Sequence, residues 1–177
     1  MTTDRRSILK GLAAAGLVMV GMPWAQATSA QNAQAAGLAG GALPDVTSLV
    51  SGSMLDAAFM AGVRQAVNAS AGQSLSAQPL KGLDAATFAS LNKLLNDDKA
   101  TLLVGLIDDA SAAIVLELVR SAGGRVLSMA HHRAGQDSAA AQWAQALGQS
   151  LVAASPTAAN APASAQGNAY VSMCCVI

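Results

Sequence analysis

The sequence predicts an α/β domain with a small sheet of about three strands and about four helices. One observation is a continuous apolar stretch, residues 100–107, that is followed by an amphipathic stretch and then by a second apolar stretch, residues 125–130. This order is typical of a strand–helix–strand (βαβ) unit. The other observation is that residues 45–69, 84–96 and 138–153 repeat large apolar residues at helical spacing. We place this domain at residues 44–177.

The first two helices are predicted before the βαβ unit. Over residues 45–69, Asp45 is a candidate cap, and apolar residues recur every four positions from Leu55 to Val67. Residues 69–79, which end in a proline, are predicted as a loop. The second helix starts at Asp84 and places Phe88 and Leu91 on one face. These two helices could form a separate helical hairpin.

The βαβ unit covers residues 100–130. Its first strand is apolar on both faces, as in a sheet covered on both sides. Asp108 and Asp109 cap a helix over residues 110–122, and the Gly123-Gly124 pair ends it. With a single helix between them, the two strands should be parallel.

The remaining chain is predicted as a helix, a loop and a strand. The helix, residues 138–153, places Trp143, Leu147 and Leu151 at spacing four. Residues 155–168 are rich in Ala, Pro and Ser and are predicted as a flexible loop. Residues 170–177 form the last strand, which could be a sheet edge that pairs with another chain.

Near the amino terminus, Arg5 and Arg6 are followed by Leu9 and Lys10, then by an uncharged stretch, residues 11–24. Ala25-Gln26-Ala27 provides a small-x-small cleavage site. Residues 3–27 resemble a twin-arginine signal peptide. The resemblance implies the twin-arginine export machinery as a partner, cleavage after Ala27, and a periplasmic or extracellular location. Residues 28–43 are small and polar and should be a flexible lead.

Composition excludes several classes of protein. After residue 27 the chain has 7 Lys or Arg and 9 Asp or Glu, and aromatic residues are only 3% of the whole sequence. A nucleic-acid-binding protein usually needs a basic surface and stacking aromatics, so we expect no nucleic-acid partner. After residue 27 no stretch reaches the roughly 20 consecutive apolar residues of a membrane span. We therefore expect no stable membrane span in the chain that remains after cleavage. The sequence also lacks a Gly-x-Ser-x-Gly or Gly-x-Gly-x-x-Gly motif.

Residues 102–127 resemble the opening unit of a response-regulator receiver domain, in which an acidic pair after the first strand binds magnesium. A receiver domain also needs a later phospho-accepting Asp and a Lys. After Ala130 the chain has only one acidic residue, Asp137, and no lysine. We therefore interpret Asp108 and Asp109 as a helix cap and a first-turn anion.

Four residues are candidate metal ligands. His131 and His132 follow the second strand of the βαβ unit, at the sheet edge where open α/β proteins bind ligands. Cys174 and Cys175 lie in the last strand. If the two strands are neighbours, one histidine and one cysteine could form a copper or zinc site. The alternative for the histidines is that they are polar residues at the solvent-exposed end of the strand. The alternative for the cysteines is that they are two buried thiols.

The absence of a recognisable catalytic set favours a non-catalytic exported protein. We expect an accessory or binding subunit. Its partner could be another protein, such as a redox enzyme, or it could form a homo-oligomer. The alternative function is a small metal-binding or redox protein that uses His131 or His132 with Cys174 or Cys175. No catalytic residue is assigned.

Overall fold

The computed structural model describes residues 44–70, 72–80, 84–153, 161–162 and 167–177. They form an α/β domain with a mixed sheet in the strand order β2-β1-β3-β5-β4. The strands are β1 (Asp45–Val50), β2 (Leu75–Pro79), β3 (Thr101–Ile107), β4 (Arg125–Ala134) and β5 (Asn168–Val176). The helices are α1 (Asp56–Ala69), α2 (Ala85–Leu95), α3 (Asp109–Ser121) and α4 (Ser138–Val152).

The described sheet has five strands, so the prediction of about three was too low. Residues 45–50, predicted as the start of a helix, form β1, which lies inside the sheet between the edge strand β2 and the central strand β3. Residues 75–79, predicted as loop, form β2 and pair in parallel with β1. Both segments are short, and their strand conformation depends on hydrogen bonds to a neighbouring strand rather than on local periodicity.

The βαβ unit is confirmed as β3, α3 and β4, but its two strands are not neighbours. β5 lies between β3 and β4 and is antiparallel to both, which makes β3 and β4 parallel to each other. The end of α3 is also as predicted. Gly123 has a positive φ of 84°, and the N–H groups of Gly123 and Gly124 donate to the carbonyls of Arg120 and Val119. This is a Schellman motif, which satisfies the last carbonyls of the helix.

Helices cover both faces of the sheet. α1 and α4 pack on one face, with Val46, Val104 and Cys174 of the sheet below them. α2 and α3 pack on the other face, over Leu49 and other strand residues including Leu103, Met173 and Cys175. We call these the α1/α4 face and the α2/α3 face. Because α1 and α2 lie on opposite faces, the prediction of a hairpin between them is wrong.

α1 and α4 lie backbone to backbone at their crossing. A Cβ added to Gly62 of α1 would lie 1.9 Å from the carbonyl oxygen of Gln145, and one added to Gly148 of α4 would lie 2.4 Å from that of Phe59. Glycine at both positions therefore allows an approach that no larger residue permits. Such close backbones bring Cα–H groups near carbonyl oxygens, a weak but favourable contact.

The predicted signal peptide, residues 1–27, and the predicted lead, residues 28–43, lie outside the described residues. So does most of the predicted loop at 155–168, although its last residue, Asn168, is the first residue of β5. Within the described ranges, no helix is long and apolar enough to cross a membrane.

Candidate functional site

The candidate site is the carboxyl half of β4. The strand does not end before the histidines as predicted, but continues through His131 and His132 to Ala134. His131 lies opposite Val171 and His132 opposite Tyr170 on β5. Since successive strand residues point to opposite faces, the two imidazoles are separated by the sheet. The residues that contact these two histidines were not predicted.

His131 points to the α2/α3 face and pairs with the first turn of α3. Its Nδ1 lies 3.3 Å from Oδ1 of Asp109, and the side chains are 66% and 70% exposed. A carboxylate at one ring nitrogen orients the imidazole and leaves the other nitrogen for proton transfer or for a ligand. This pair links α3 to the edge of the sheet.

Asp108 and Asp109 therefore have different roles. The side chain of Asp108 accepts a hydrogen bond from the Ser111 backbone N–H at 2.9 Å, as the cap interpretation predicts. Partial burial alone would raise the pKa of Asp108, but the hydrogen bonds from Ser111 and from neighbouring N–H groups outweigh it and lower the pKa below its ordinary value. Asp109 remains at the surface, where it reaches His131.

His132 points to the α1/α4 face and is half-buried. Its Nε2 is 2.7 Å from Oγ of Ser172, a residue of β5 that is itself only 3% exposed. The ring also makes an edge contact with Trp143 of α4, with 4.9 Å between ring centroids. Burial, with a smaller contribution from the charge of His131, lowers the pKa of His132, so the neutral imidazole is favoured.

Ser172 is the residue that sequence reasoning missed. It is a polar side chain within the otherwise apolar run from Val171 to Val176, and without the histidine its buried hydroxyl would lack this hydrogen-bond partner. A lone serine in an apolar strand was the one available signal. Its partner lies 40 positions away in the chain, so the pair depends on the register of β4 and β5.

The cysteines lie in the core, one on each face of the sheet. Cys174 is 3% exposed and its Sγ donates to the carbonyl of Leu151 at 3.6 Å, while Cys175 is fully buried. Burial, with a smaller effect of Cys175, raises the pKa of the Cys174 thiol to about 12. Burial also raises the pKa of Cys175 to about 11, against the opposing charge of Arg120. Thiols with such pKa values are almost entirely protonated at neutral pH and are poor nucleophiles.

The strand register separates the histidines from the cysteines. The neighbours of Cys174 and Cys175 on β4 are Ser128 and Val126. On each face, the cysteine lies four residues along β5 from the position opposite the histidine, which is roughly 13 Å in a strand. Within the described residues, no group of three or more His, Cys, Asp or Glu side chains lies close enough together to hold a metal ion.

The sheet also has a topological switch point, the place where open α/β sheets usually bind ligands. It lies between the carboxyl ends of β1 and β3, where the connections lead to opposite faces. In the loop after β1, the backbone N–H groups of Gly52 and Ser53 donate to the carboxylate of Asp56 at 2.7 and 3.1 Å. These donors are thus already occupied by a side chain of the same protein.

The outer edge of β4 is the most exposed part of the sheet. Seven of its ten residues are exposed, including the large apolar residues Leu127 (37%) and Met129 (47%). Arg125 and Arg133 are exposed near the two ends of the strand. At the amino end of the strand, a cavity of about 380 Å³ is lined by Arg125 together with apolar residues that include Leu95 and Ile177. This edge is a second candidate surface, suited to binding a polypeptide.

Comparison with known proteins gives no identification. No protein-family model, no curated protein and no solved structure matches this chain.

Proposed function

We propose that this chain is an exported, non-catalytic binding or accessory subunit that acts in the periplasm or outside the cell. The location rests on the resemblance of residues 3–27 to a twin-arginine signal. The binding role rests on one observation, the exposed edge strand β4. A redox enzyme is the partner that the signal suggests, because cargoes of this route often fold with, or travel beside, a protein that holds a cofactor.

The edge strand supports binding for a physical reason. An edge strand offers unpaired backbone N–H and C=O groups, onto which another chain can add a strand. Leu127 and Met129 add exposed apolar surface beside those groups. Backbone hydrogen bonds would supply affinity, and the alternating side chains would supply specificity.

The histidines support the same function by holding the carboxyl half of this strand in place. His132 is fixed through Ser172 and Trp143, and His131 through Asp109. These contacts attach β4 to α4 and α3 on the two faces of the sheet. A strand held in this way has little freedom left to lose on binding, which favours association.

Export and activity can be tested on one preparation. The full-length chain would be expressed in a host with the twin-arginine route, beside an Arg5→Lys, Arg6→Lys variant as the export control. We expect the wild type in the periplasm, shortened by cleavage after Ala27, and the variant retained inside the cell. Wild type that stays inside the cell, or a variant that is exported equally well, would contradict this route.

The recovered protein would then be analysed for native mass, metal content and turnover. We expect a mass that includes a partner or a second chain, with no stoichiometric metal. A monomer that shows turnover would end the proposal. About one copper or zinc per chain, lost when His131, His132, Cys174 and Cys175 are replaced, would instead favour the metal-binding alternative.

A further inference from the structure

The two edges of the sheet differ in their capacity to bind another chain. β2, at one edge, has five residues and ends in Pro79, which has no N–H to donate. β4, at the other edge, has ten residues and, in the part of the chain that the structure describes, pairs only with β5. The longer edge therefore offers the larger set of backbone groups.

The edge formed by β4 has a net positive charge. Arg125 and Arg133 are exposed, and β4 itself contains no acidic residue. The carboxylate that approaches the strand from α3 belongs to Asp109, and it is already paired with His131. A chain that docks here places its own side chains beside two arginines, so carboxylates would be favoured and ammonium groups disfavoured.

The rest of this chain does not provide such a partner. Outside the described residues the only acidic side chain is Asp4, in the predicted signal peptide. The uncharged lead at 28–43 and the uncharged residues 154–160 and 163–166 cannot neutralise the arginines. These segments therefore lack the charge complementarity of the proposed occupant.

A second copy of the chain is also disfavoured. Two copies related by a two-fold axis would pair their β4 strands in antiparallel fashion. Over the full length of the strand, this places Arg125 of one copy and Arg133 of the other at each end of the pairing, on opposite faces of the sheet, and neither β4 strand offers a carboxylate to either arginine. A pair of β4 strands therefore lacks the charge complementarity that carboxylates of another chain would supply.

We propose that β4 is a docking edge for an extended, acidic segment of another protein, which adds a sixth strand to the sheet beside Leu127 and Met129. This proposal rests on the binding role proposed above and specifies the chemistry of the partner. Arg125 lies opposite Val176 and Arg133 opposite Ala169, so the arginines are seven register steps apart. The partner should carry carboxylates at both ends of its paired segment, roughly 23 Å apart.

The features that usually protect an edge strand are compatible with this partner. A bulge lies between Val126 and Ser128, and charged residues are a common protection of edges. The bulge affects only the amino end, and register is continuous from Ser128 to Ala134. The arginines disfavour basic strands and copies of this chain, but they do not disfavour an acidic strand.

The test is a binding measurement with two synthetic peptides. One is a fluorescein-labelled, strand-length peptide of alternating valine and threonine with a glutamate near each end, and the other has lysines in place of the glutamates. Fluorescence anisotropy with the full-length chain should show about tenfold tighter binding of the glutamate peptide, and the difference should shrink as salt is added.

Charge-reversal variants locate the binding site. Arg125→Glu with Arg133→Glu should abolish or reverse the preference between the peptides. The matched control, Arg64→Glu with Lys93→Glu, changes the net charge equally at exposed positions of α1 and α2, and it should keep the preference. Thermal midpoints close to that of the wild type establish that both double variants are folded.

Several outcomes would overturn the proposal. These are equal binding of the two peptides, no binding of either, and a control variant that loses the preference to the same extent. A dimer that Met129→Arg dissociates would assign the edge to a second copy. None of these outcomes affects the proposed accessory role, which fails instead if the monomer shows turnover.

Discussion

Replacement of Gly62 or Gly148 with alanine tests how closely α1 and α4 approach each other. Ordinary van der Waals contact of a Cβ begins at 3.4 Å, whereas the added Cβ atoms would lie 1.9 Å from Gln145 O and 2.4 Å from Phe59 O. The added Cβ would thus be too close to the carbonyl oxygen by 1.5 Å at Gly62 and by 1.0 Å at Gly148. Both obstructing atoms belong to the backbone. The helices must therefore move apart, because no side chain can rotate away.

The free energy of unfolding should fall in both variants, and further in Gly62→Ala. Overpacking costs about 1–3 kcal/mol or more, while alanine is about 1 kcal/mol more favourable than glycine within a helix. A displacement of about 1 Å also removes dispersion contacts around the crossing. We expect a net loss of about 3 kcal/mol for Gly62→Ala and about 2 kcal/mol for Gly148→Ala.

Urea and thermal unfolding, followed by circular dichroism, measure both losses. The midpoint of Gly62→Ala should fall by about 10 °C. The double variant should lose less than the sum of the single variants, because both separate the same two helices. Ala146→Gly, on the exposed side of α4, is the control and should lose only about 1 kcal/mol from helix propensity. A Gly62→Ala protein as stable as the wild type would refute backbone contact between α1 and α4.

Three further predictions concern the β4 and β5 region and the start of α3. Cys174 and Cys175 should resist iodoacetamide in the folded protein and react once it is unfolded in guanidinium, because burial raises both pKa values; rapid labelling of the folded state would contradict this. Burial, aided by the charge of His131, lowers the pKa of His132 in the folded protein. As the pH falls, His132 is therefore protonated in the unfolded chain at a higher pH than in the folded protein. Thermal midpoints should therefore fall as pH drops through about 6.5 and on through the lowered pKa, and His132→Gln should flatten that fall; an unchanged profile in the variant would place the effect elsewhere. Asp108→Ala should cost about 1 kcal/mol in urea unfolding through the lost cap, and Asp108→Asn should restore most of it; equal stability of all three proteins would argue against the cap.

Strong local signals predicted the βαβ unit and α4 well. The apolar stretch of β3, the Asp108 cap and the Gly123-Gly124 pair define boundaries that the structure confirms within one residue. Each signal depends only on residues close in the chain. The helices α2 and α4 were predicted on the same basis, and their bounds also agree closely.

The missed strands had no such signal. β1 comes shortly before α1 in the chain. The apolar residues at helical spacing from Leu55 to Val67 therefore led to a predicted helix that began too early and included β1. β2 contains one large apolar residue, Leu75, and a proline, so nothing local distinguishes it from a loop. Each became a strand because a neighbour satisfies its backbone hydrogen bonds.

The candidate site shows the same division. Alternation along a strand was enough to place His131 and His132, and likewise Cys174 and Cys175, on opposite faces. The proximity of a histidine to a cysteine depends instead on strand register, which places them at different heights along β4 and β5. The partners of His132 come from β5 and α4, which no local pattern connects to it.

The sequence by itself determined the elements with internal caps and periodicity and the α/β class, because these follow from the hydrophobicity and backbone preferences of adjacent residues. The tertiary structure decided the five-stranded order, the insertion of β5 between β3 and β4, the pairing of His132 with Ser172, and the exposure of β4 as an edge. These depend on hydrogen bonds and packing between residues far apart in the chain, whose pairing is selected by the free energy of the whole domain and not by any segment alone.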